Sequence, residues 1–262
     1  MFETRTTRSR VILQIVLTLL VVPFLFPLVA MVQGSLAGSG WGNYATVLSL
    51  PELPWFFVNS ALIAAAVILI VLACTVTAAY GFSKLHIPGK EVFFWALLAC
   101  LTLPEVVLLA PLFATVTQLG AYNTLWAVIV PLAALQIPFT VLLARNFVDG
   151  IPDELLEAAR VDGANTIRTF WHILLPLTRP IMAAVLVLVF INSWNDFLLP
   201  LLFLQSPDKQ TITLVPSFFV GQYNNDQTKV LAAAVVTGLP VVLAYIFLQR
   251  FFERGLAAGA LK

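Results

Sequence analysis

Residues 157–176, EAARVDGANTIRTFWHILLP, are a polar, glycine-containing stretch between two long apolar segments, and the reading of those segments decides the fold. Hydrophobic residues make up 60% of the 262 and charged ones 10%, with a mean hydropathy of +0.96. Soluble domains carry about 25% charged residues, so this chain has too few to coat a surface facing water. Crossing a hydrocarbon core takes about 20 apolar residues. Segments 11–32, 56–80, 92–116, 123–144, 181–204 and 230–249 all reach that length. The expected fold is an all-α integral membrane protein of six transmembrane helices, forming one domain over residues 1–262 with a long loop at 145–180.

Charge placement predicts orientation, because cytoplasmic loops are enriched in Lys and Arg. Arg5, Arg8 and Arg10 precede the first segment, and Lys84 and Lys90 follow the second. The 145–180 loop holds Arg145, Arg160, Arg168 and Arg179, and the C-terminus holds Arg250, Arg254 and Lys262. Twelve of the 14 basic residues thus share one side, leaving Lys209 and Lys229 on the other. Both termini and the long loop are expected in the cytoplasm. The first segment is too long for the 7–15-residue core of a signal peptide, so it reads as a retained span.

The remaining connections are too short for a second folded domain. Cys74 and Cys100 fall inside spans and read as small apolar packing residues. His86 and His172 have no Cys or His at ligand spacing, so no metal site is predicted. Trp41, Trp55, Trp95 and Trp126 lie near span ends, where an indole is apolar yet keeps its N–H wet. Proline recurs within or beside the spans at 23, 27, 104, 111, 131, 138, 200 and 240. Each interior proline frees a carbonyl that a neighbour must satisfy, which suits bent helices around a pathway.

Within the loop, residues 151–162 read as a short helix. Pro152, Asp153 and Glu154 suit its start, and Gly163 its stop. At 100° per residue, Leu155, Leu156, Ala159 and Gly163 share one stripe, where small side chains admit another body close to the backbone. Asp153, Glu157 and Arg160 lie opposite as a polar rim. A second helix is expected from Thr166 to Leu175, capped by Asn165 or Thr166 and buried through Phe170 and Trp171. The exposed corner would be Asp162-Gly163-Ala164. Amphipathicity alone fits docking of a soluble partner and a helix resting on the membrane equally well.

Glu157-Ala158-Ala159, then Gly163, then Ile173-x-Leu175-Pro176, resembles the EAA loop of ABC importer permeases at every defined position. Trp194-Asn-Asp-Phe-Leu-Leu-Pro200 is similar to a segment of carbohydrate importer permeases. Residues 249–262 are similar to the tail of the smaller permease subunit of the maltose-type family. The resemblance implies a type I importer bundle in a bacterial or archaeal cytoplasmic membrane. It implies that Leu155, Leu156, Glu157, Ala158, Ala159, Asp162, Gly163 and Ala164 dock into an ATPase subunit and pass its closure to the spans, while the tail reaches toward the ATPase dimer interface. The implied partners are a second permease chain, two ABC ATPase subunits, an extracytoplasmic solute-binding protein and membrane lipid, with no nucleic acid. The chain carries no G-x-x-x-x-G-K-[ST] phosphate loop, so ATP and magnesium belong to the partner ATPases; no cofactor and no enzymatic activity are expected here.

Two carboxyl groups fall within spans, Glu105 in the third and Asp196 in the fifth. Placing a charge at mid-bilayer costs roughly 2.5–3.5 kcal/mol on insertion scales. A site for sugar hydroxyls would use Asn192, Asn195 and Asp196 for hydrogen bonds and Trp194 for stacking. Those four and Glu105 are the substrate-path candidates, with purely structural roles as the alternative. The expected cargo is a sugar or oligosaccharide, with glycerol phosphate or a polyol as the close alternative. An ion-coupled secondary transporter and a non-conducting scaffold are the more distant ones.

Overall fold

The computed structural model describes residues 7–221 and 226–260, with side chains from Arg8 to Gln249 outside that gap. Arg5, Lys262 and the side chains of Arg250 and Arg254 lie outside the described residues, so their expected roles are not addressed by it. The chain is helical, with no β-strand among the described residues. Its contacts divide it into two units.

One unit comprises the residues up to Pro51 together with Val215–Leu239. It holds α1 (Thr7–Ser35), which carries Pro23 and Pro27, and α2 (Trp41–Leu48). Glycines at φ +66° and +57°, Gly38 and Gly40, make the turn between them, a conformation costly for other L-residues. Asn43, almost fully buried, fixes that turn by donating to the carbonyls of Ser35 (2.9 Å) and Ala37 (2.8 Å). Gly34 also permits a close approach, since a Cβ there would stand 2.6 Å from Leu231 Cδ1.

The second unit comprises Glu52–Leu214 and the residues from Pro240. Its centre is α3 (Leu53–Lys84) packed along α6 (Trp126–Asp149). Between them in sequence stand α4 (Lys90–Ala99), a 3-10 turn (Cys100–Thr102) and α5 (Glu105–Gln118). The 145–180 loop supplies α7 (Asp153–Val161), α8 (Thr166–Thr169), a π-helical turn (Phe170–Leu174) and α9 (Leu175–Leu177). Then come α10 (Arg179–Asn195) and α11 (Leu198–Phe203). The last helix, α12 (Gln227–Ala260), begins in the first unit and ends in the second.

Ile63, Val67, Val71, Val128, Leu132, Val185 and Val189 form an apolar core between α3, α6 and α10. Lipid offers no hydrophobic drive for such packing, so small contacts and polar pairs must hold the helices together. The hydroxyls of Thr75 and Thr140 meet at 2.7 Å, and Gln136 Nε2 donates to Ser193 Oγ at 3.2 Å. At the end away from the long loop, Asn59 donates to the carbonyls of Asp208 (2.8 Å) and Gln210 (3.0 Å), pinning that connection. Asn123, at φ 57°, accepts from the N–H of Gln205 and Ser206 at 3.1 Å each.

Among the described residues four helices are long and apolar enough to cross a membrane, and two bent pairs, Lys90–Thr102 with Glu105–Gln118 and Thr166–Leu177 with Arg179–Asn195, reach that length only together. The third segment was expected as one span over 92–116, but α4 and its 3-10 turn meet α5 at 103°. Leu103 and Pro104 are both extended there (ψ 120° and 134°), as expected where proline disfavours the helical region for the residue before it. The fifth was expected over 181–204, but α10 stops at Asn195 and Asp196 is extended (ψ 127°) before α11. A further bend of 71° separates the loop helix Thr166–Leu177 from α10.

Candidate functional site

The long loop is built by local rules. Asp153 and Glu154 occupy the first turn of α7, where carboxylates complement the helix dipole. The helix closes in a Schellman motif: Ala164 N–H reaches the Ala159 carbonyl (2.9 Å) and Gly163 N–H the Arg160 carbonyl (3.0 Å). Gly163 sits at φ +81°, which makes glycine the fitting residue at this C′ position. Asn165 then caps α8, its side chain accepting from Arg168 N–H at 2.8 Å.

One tie clamps α7 to the bundle, and two more lock the ends of α3, α4 and α6 beside it. Lys84 Nζ, on a side chain only 6% exposed, donates to Asp153 Oδ1 at 2.7 Å and to the Ile151 carbonyl at 2.7 Å. That hydrogen bond holds the Asp153 carboxyl below the usual carboxylate range. Arg145 forks onto both oxygens of Glu91 at 3.0 and 2.7 Å, with its guanidinium carbon 4.0 Å from the Phe94 ring centroid. Ser83 donates to Asp149 Oδ1 at 2.5 Å. Beneath them Ala79, Tyr80, Ala144, Val148, Ile151 and Leu174 form a second apolar cluster.

The face that α7 presents differs from the expected stripe. Leu156 and Ala159 are each only 5% exposed, because that row lies against the chain's own bundle. Leu155 and Ala158 are exposed, as are Glu157, Asp162 and Gly163, while Ala164 is half-buried. The exposed apolar surface continues through Val161, Ile167 and Trp171, so Trp171 is not buried as expected. The helix thus has two apolar rows, one used internally and one outward. Asp153, Glu157 and Arg160, expected as an outer rim, line a cavity of about 290 Å³ with Lys84, His86 and Lys90.

A second cavity, about 510 Å³, opens where both broken spans meet α6. It brings together Glu105, Asn192, Asn195 and Asp196, four of the five substrate-path candidates, and adds Gln136. The fifth, Trp194, is not in the cavity wall. It is 7% exposed and packs on Phe190 and Phe57, with ring centroids 5.6 and 6.3 Å away. Asn192 and Asn195 share a face of α10 and Trp194 lies off it, so in this structure Trp194 packs against aromatic rings and offers the cavity no stacking surface. Two acceptor atoms here are buried without a hydrogen-bond partner, Gln136 Oε1 and Asp196 Oδ2. Gln136 lay in the sequence as an uncharged polar residue inside an otherwise apolar span, a signal that a count of charges passes over.

Among the described residues no group of His, Cys, Asp or Glu has the arrangement to hold a metal ion. Cys74 and Cys100 are free and exposed on their helices, not packed inward as expected.

Comparison with known proteins agrees with this geometry. The family described as "binding-protein-dependent transport system inner membrane component" matches residues 73–257. The arabinooligosaccharides transport system permease protein of Halalkalibacterium halodurans is 35% identical over 221 residues, 84% of this chain and 78% of that one. The trehalose/maltose transport system permease protein of Thermococcus litoralis is 33% identical over 223 residues, 84% of this chain and 80% of that one. A crystal structure of a bacterial ABC transporter involved in import of the acidic polysaccharide alginate contains a chain of the same fold. The two superpose with a TM-score of 0.77 at 22% identity, covering 96% of this chain and 99% of that one. This chain is a membrane-integral protein that belongs to the family of binding-protein-dependent transport system inner membrane components.

Proposed function

We propose that this chain is the membrane-spanning subunit of an ATP-driven importer for a sugar or oligosaccharide, working as one permease domain over residues 1–262. The observation that carries the coupling half of this reading is the clamped loop. An exposed apolar face at Leu155, Ala158 and Val161 sits on a helix tied to α3 through Lys84. A partner that grips this face pulls on the bundle directly. The names of the relatives, permeases of arabinooligosaccharide and trehalose/maltose systems, support the sugar half.

The partners under this reading are a second permease chain, two ATPase subunits that hold ATP and magnesium, and an extracytoplasmic solute-binding protein. Both termini and the 145–180 loop face the cytoplasm. ATPase closure displaces α7 together with Glu157, Asp162, Gly163 and Ala164. Leu156 and Ala159 act from the inner row by seating the helix on its own bundle. The Lys84 and Arg145 ties carry the displacement to α3, α4 and α6, and the cavity at Glu105 and Asp196 changes its access.

The test is purification of the tagged chain from its own host, followed by native mass spectrometry and ATP hydrolysis in nanodiscs. The reading predicts two ATPase copies and a second permease, with hydrolysis stimulated by a sugar-loaded binding protein. A lone chain or homo-oligomer, with cross-linking through Ala158→Cys also failing to capture an ATPase, overturns it.

A further inference from the structure

We infer that the cavity between α7 and the turn from α3 to α4, together with the apolar groove beside it, holds one anionic phospholipid, its phosphate in the cavity and an acyl chain in the groove. The inference goes beyond the importer reading and needs only that the chain is membrane-integral. Lys84 ends the membrane-length helix α3 and Lys90 opens α4, so the turn between them lies where the chain leaves the hydrocarbon. The cavity there, about 290 Å³, is walled mainly by charged side chains: Lys84, His86, Lys90 and Arg160, with the carboxylates of Asp153 and Glu157. A second cavity, about 270 Å³, is lined by Ala78, Gly81, Phe82, Ile87 and Phe93, and otherwise by Lys90 alone. Lys90 thus belongs to both walls, and a charged chamber meets an apolar groove at one ammonium. Ile87 and Phe93 are exposed, as are Val92 and Trp95 beside them. This flank therefore suits hydrocarbon, with its tryptophan at the level where an interfacial indole belongs.

The charges of the chamber do not cancel. Lys84 pairs with Asp153 at 2.7 Å. Glu157 and Arg160 stand three apart on α7, a spacing that makes them neighbours. Lys90 has no carboxylate within ion-pair reach among the described residues. Its Nζ donates to the carbonyls of Ser83 (3.2 Å) and Leu85 (2.9 Å), and both oxygens of the adjacent Glu91 accept from Arg145. An ammonium has three donors, so one remains at the junction of chamber and groove. A phosphodiester carries a single negative charge and matches that surplus, while Arg160 and His86, both exposed in the chamber, supply further donors. Basic pockets between spanning helices take acidic headgroups in this way. A free anion satisfies the chamber but leaves the groove unfilled, and so does a carboxylate from a soluble partner. A zwitterionic lipid fills the groove but brings its own cation to Lys90. An anionic amphiphile uses both.

The experiment is photo-crosslinking in nanodiscs of the tagged chain with whatever subunits co-purify. The probes are phosphatidylglycerol and phosphatidylcholine with identical diazirine-bearing acyl chains, each diluted equally into phosphatidylcholine, and mass spectrometry locates the labelled peptides. Phosphatidylglycerol should label residues 78–93 at least about fivefold more than phosphatidylcholine, the ratio equivalent to about 1 kcal/mol for one basic residue at a membrane surface. The opposite end of α3, residues 53–58, should show no such preference. Lys90→Met should bring the ratio close to one. Gly81→Leu fills the groove at a helical position where a Cβ meets only Ile87 Cδ1 at 3.9 Å, and should remove the phosphatidylglycerol labelling with melting unchanged. Because Lys90→Met also gives up two bonds to backbone, Gly81→Leu decides the matter where that variant fails to insert. Equal labelling by the two lipids in wild type overturns the inference, as does a preference that survives Gly81→Leu. A preference abolished by inorganic phosphate but not by chloride at equal ionic strength assigns the chamber to a free anion and overturns the lipid. Labelling by neither lipid overturns it too, and carbodiimide capture of a co-purifying protein at Lys90 would then assign the chamber to a protein carboxylate. A chain that brings down no ATPase refutes the importer reading and leaves this inference standing.

Discussion

Two adjacent alanines on α7 should behave in opposite ways when each is replaced by arginine. Ala159 is 5% exposed against the bundle, whereas Ala158 is exposed. Ala159→Arg has two outcomes, and the cheaper sets the cost. Keeping the helix in place would bury a guanidinium, a penalty of several kcal/mol, on top of about 1–3 kcal/mol of overpacking. Undocking the helix instead exposes Leu156, losing about 1.5–3 kcal/mol. It also breaks the Lys84 bond to the Ile151 carbonyl, about 1.5–3 kcal/mol for a charged donor. Escape therefore costs about 3–6 kcal/mol, below the cost of staying, and α7 should leave its seat. At roughly 2–4 °C per kcal/mol for a chain of this size, melting should fall by about 6–24 °C. Ala158→Arg should change stability by no more than about 0.5 kcal/mol yet prevent ATPase capture, because it plants a long cation on the outward row. The assay pairs thermal melting in nanodiscs with quantification of co-purified ATPase. An Ala158→Arg chain that still captures ATPase and transports at the wild-type rate would refute the outward-row argument. Unaltered melting of Ala159→Arg would refute the inward one.

Three further outcomes are expected. Asn123→Ala loses three hydrogen bonds, two accepted by Oδ1 and one donated by Nδ2 to Ser206 Oγ, worth about 0.5–1.5 kcal/mol each, and places alanine at positive φ for about 1–2 kcal/mol more. Asn123→Gly loses only the bonds, so limited proteolysis near Ser206 should accelerate in both, more in the alanine variant. The Asp153 carboxyl titrates below its unfolded value of 3.8, so its contribution is present above the unfolded value and is lost as pH falls through the depressed folded one. Melting temperature should therefore drop between about pH 5 and pH 2, and Lys84→Met should flatten that drop. Thr75→Val removes one partner of a buried hydroxyl pair, but Thr140 keeps the carbonyls of Gln136 (3.1 Å) and Ile137 (3.0 Å). The expected loss is only about 0.5–1.5 kcal/mol, measured by thermal melting.

The apolar segments were legible because hydrocarbon enforces one requirement over their whole length. The breaks were not. Pro131 and Pro138 sit inside an unbroken α6, while Pro104 marks a bend of 103°. Whether a neighbour can satisfy the backbone groups a proline frees is a tertiary property, which local sequence does not carry. The loop's caps could be read residue by residue, since Gly163 and Asn165 act on backbone within a few positions. Which apolar row of α7 faces outward depends on how the rest of the bundle covers Leu156 and Ala159. The cavity's carboxyls stood out as charges in an apolar run. Gln136 and the turning-in of Trp194 depended on where α10 stops.

Both breaks open onto the same cavity, and this constrains how the protein handles water. A helix end leaves N–H and C=O groups without intrahelical partners, and lipid cannot supply any. Drying the cavity would cost roughly 2–7 kcal/mol for each group left bare. Under the proposed function, the compartment remains hydrated whenever solute is absent, and solute enters by exchange with that water. On that reading, ion tightness of the membrane rests on apolar surfaces away from this level, around a chamber that stays wet.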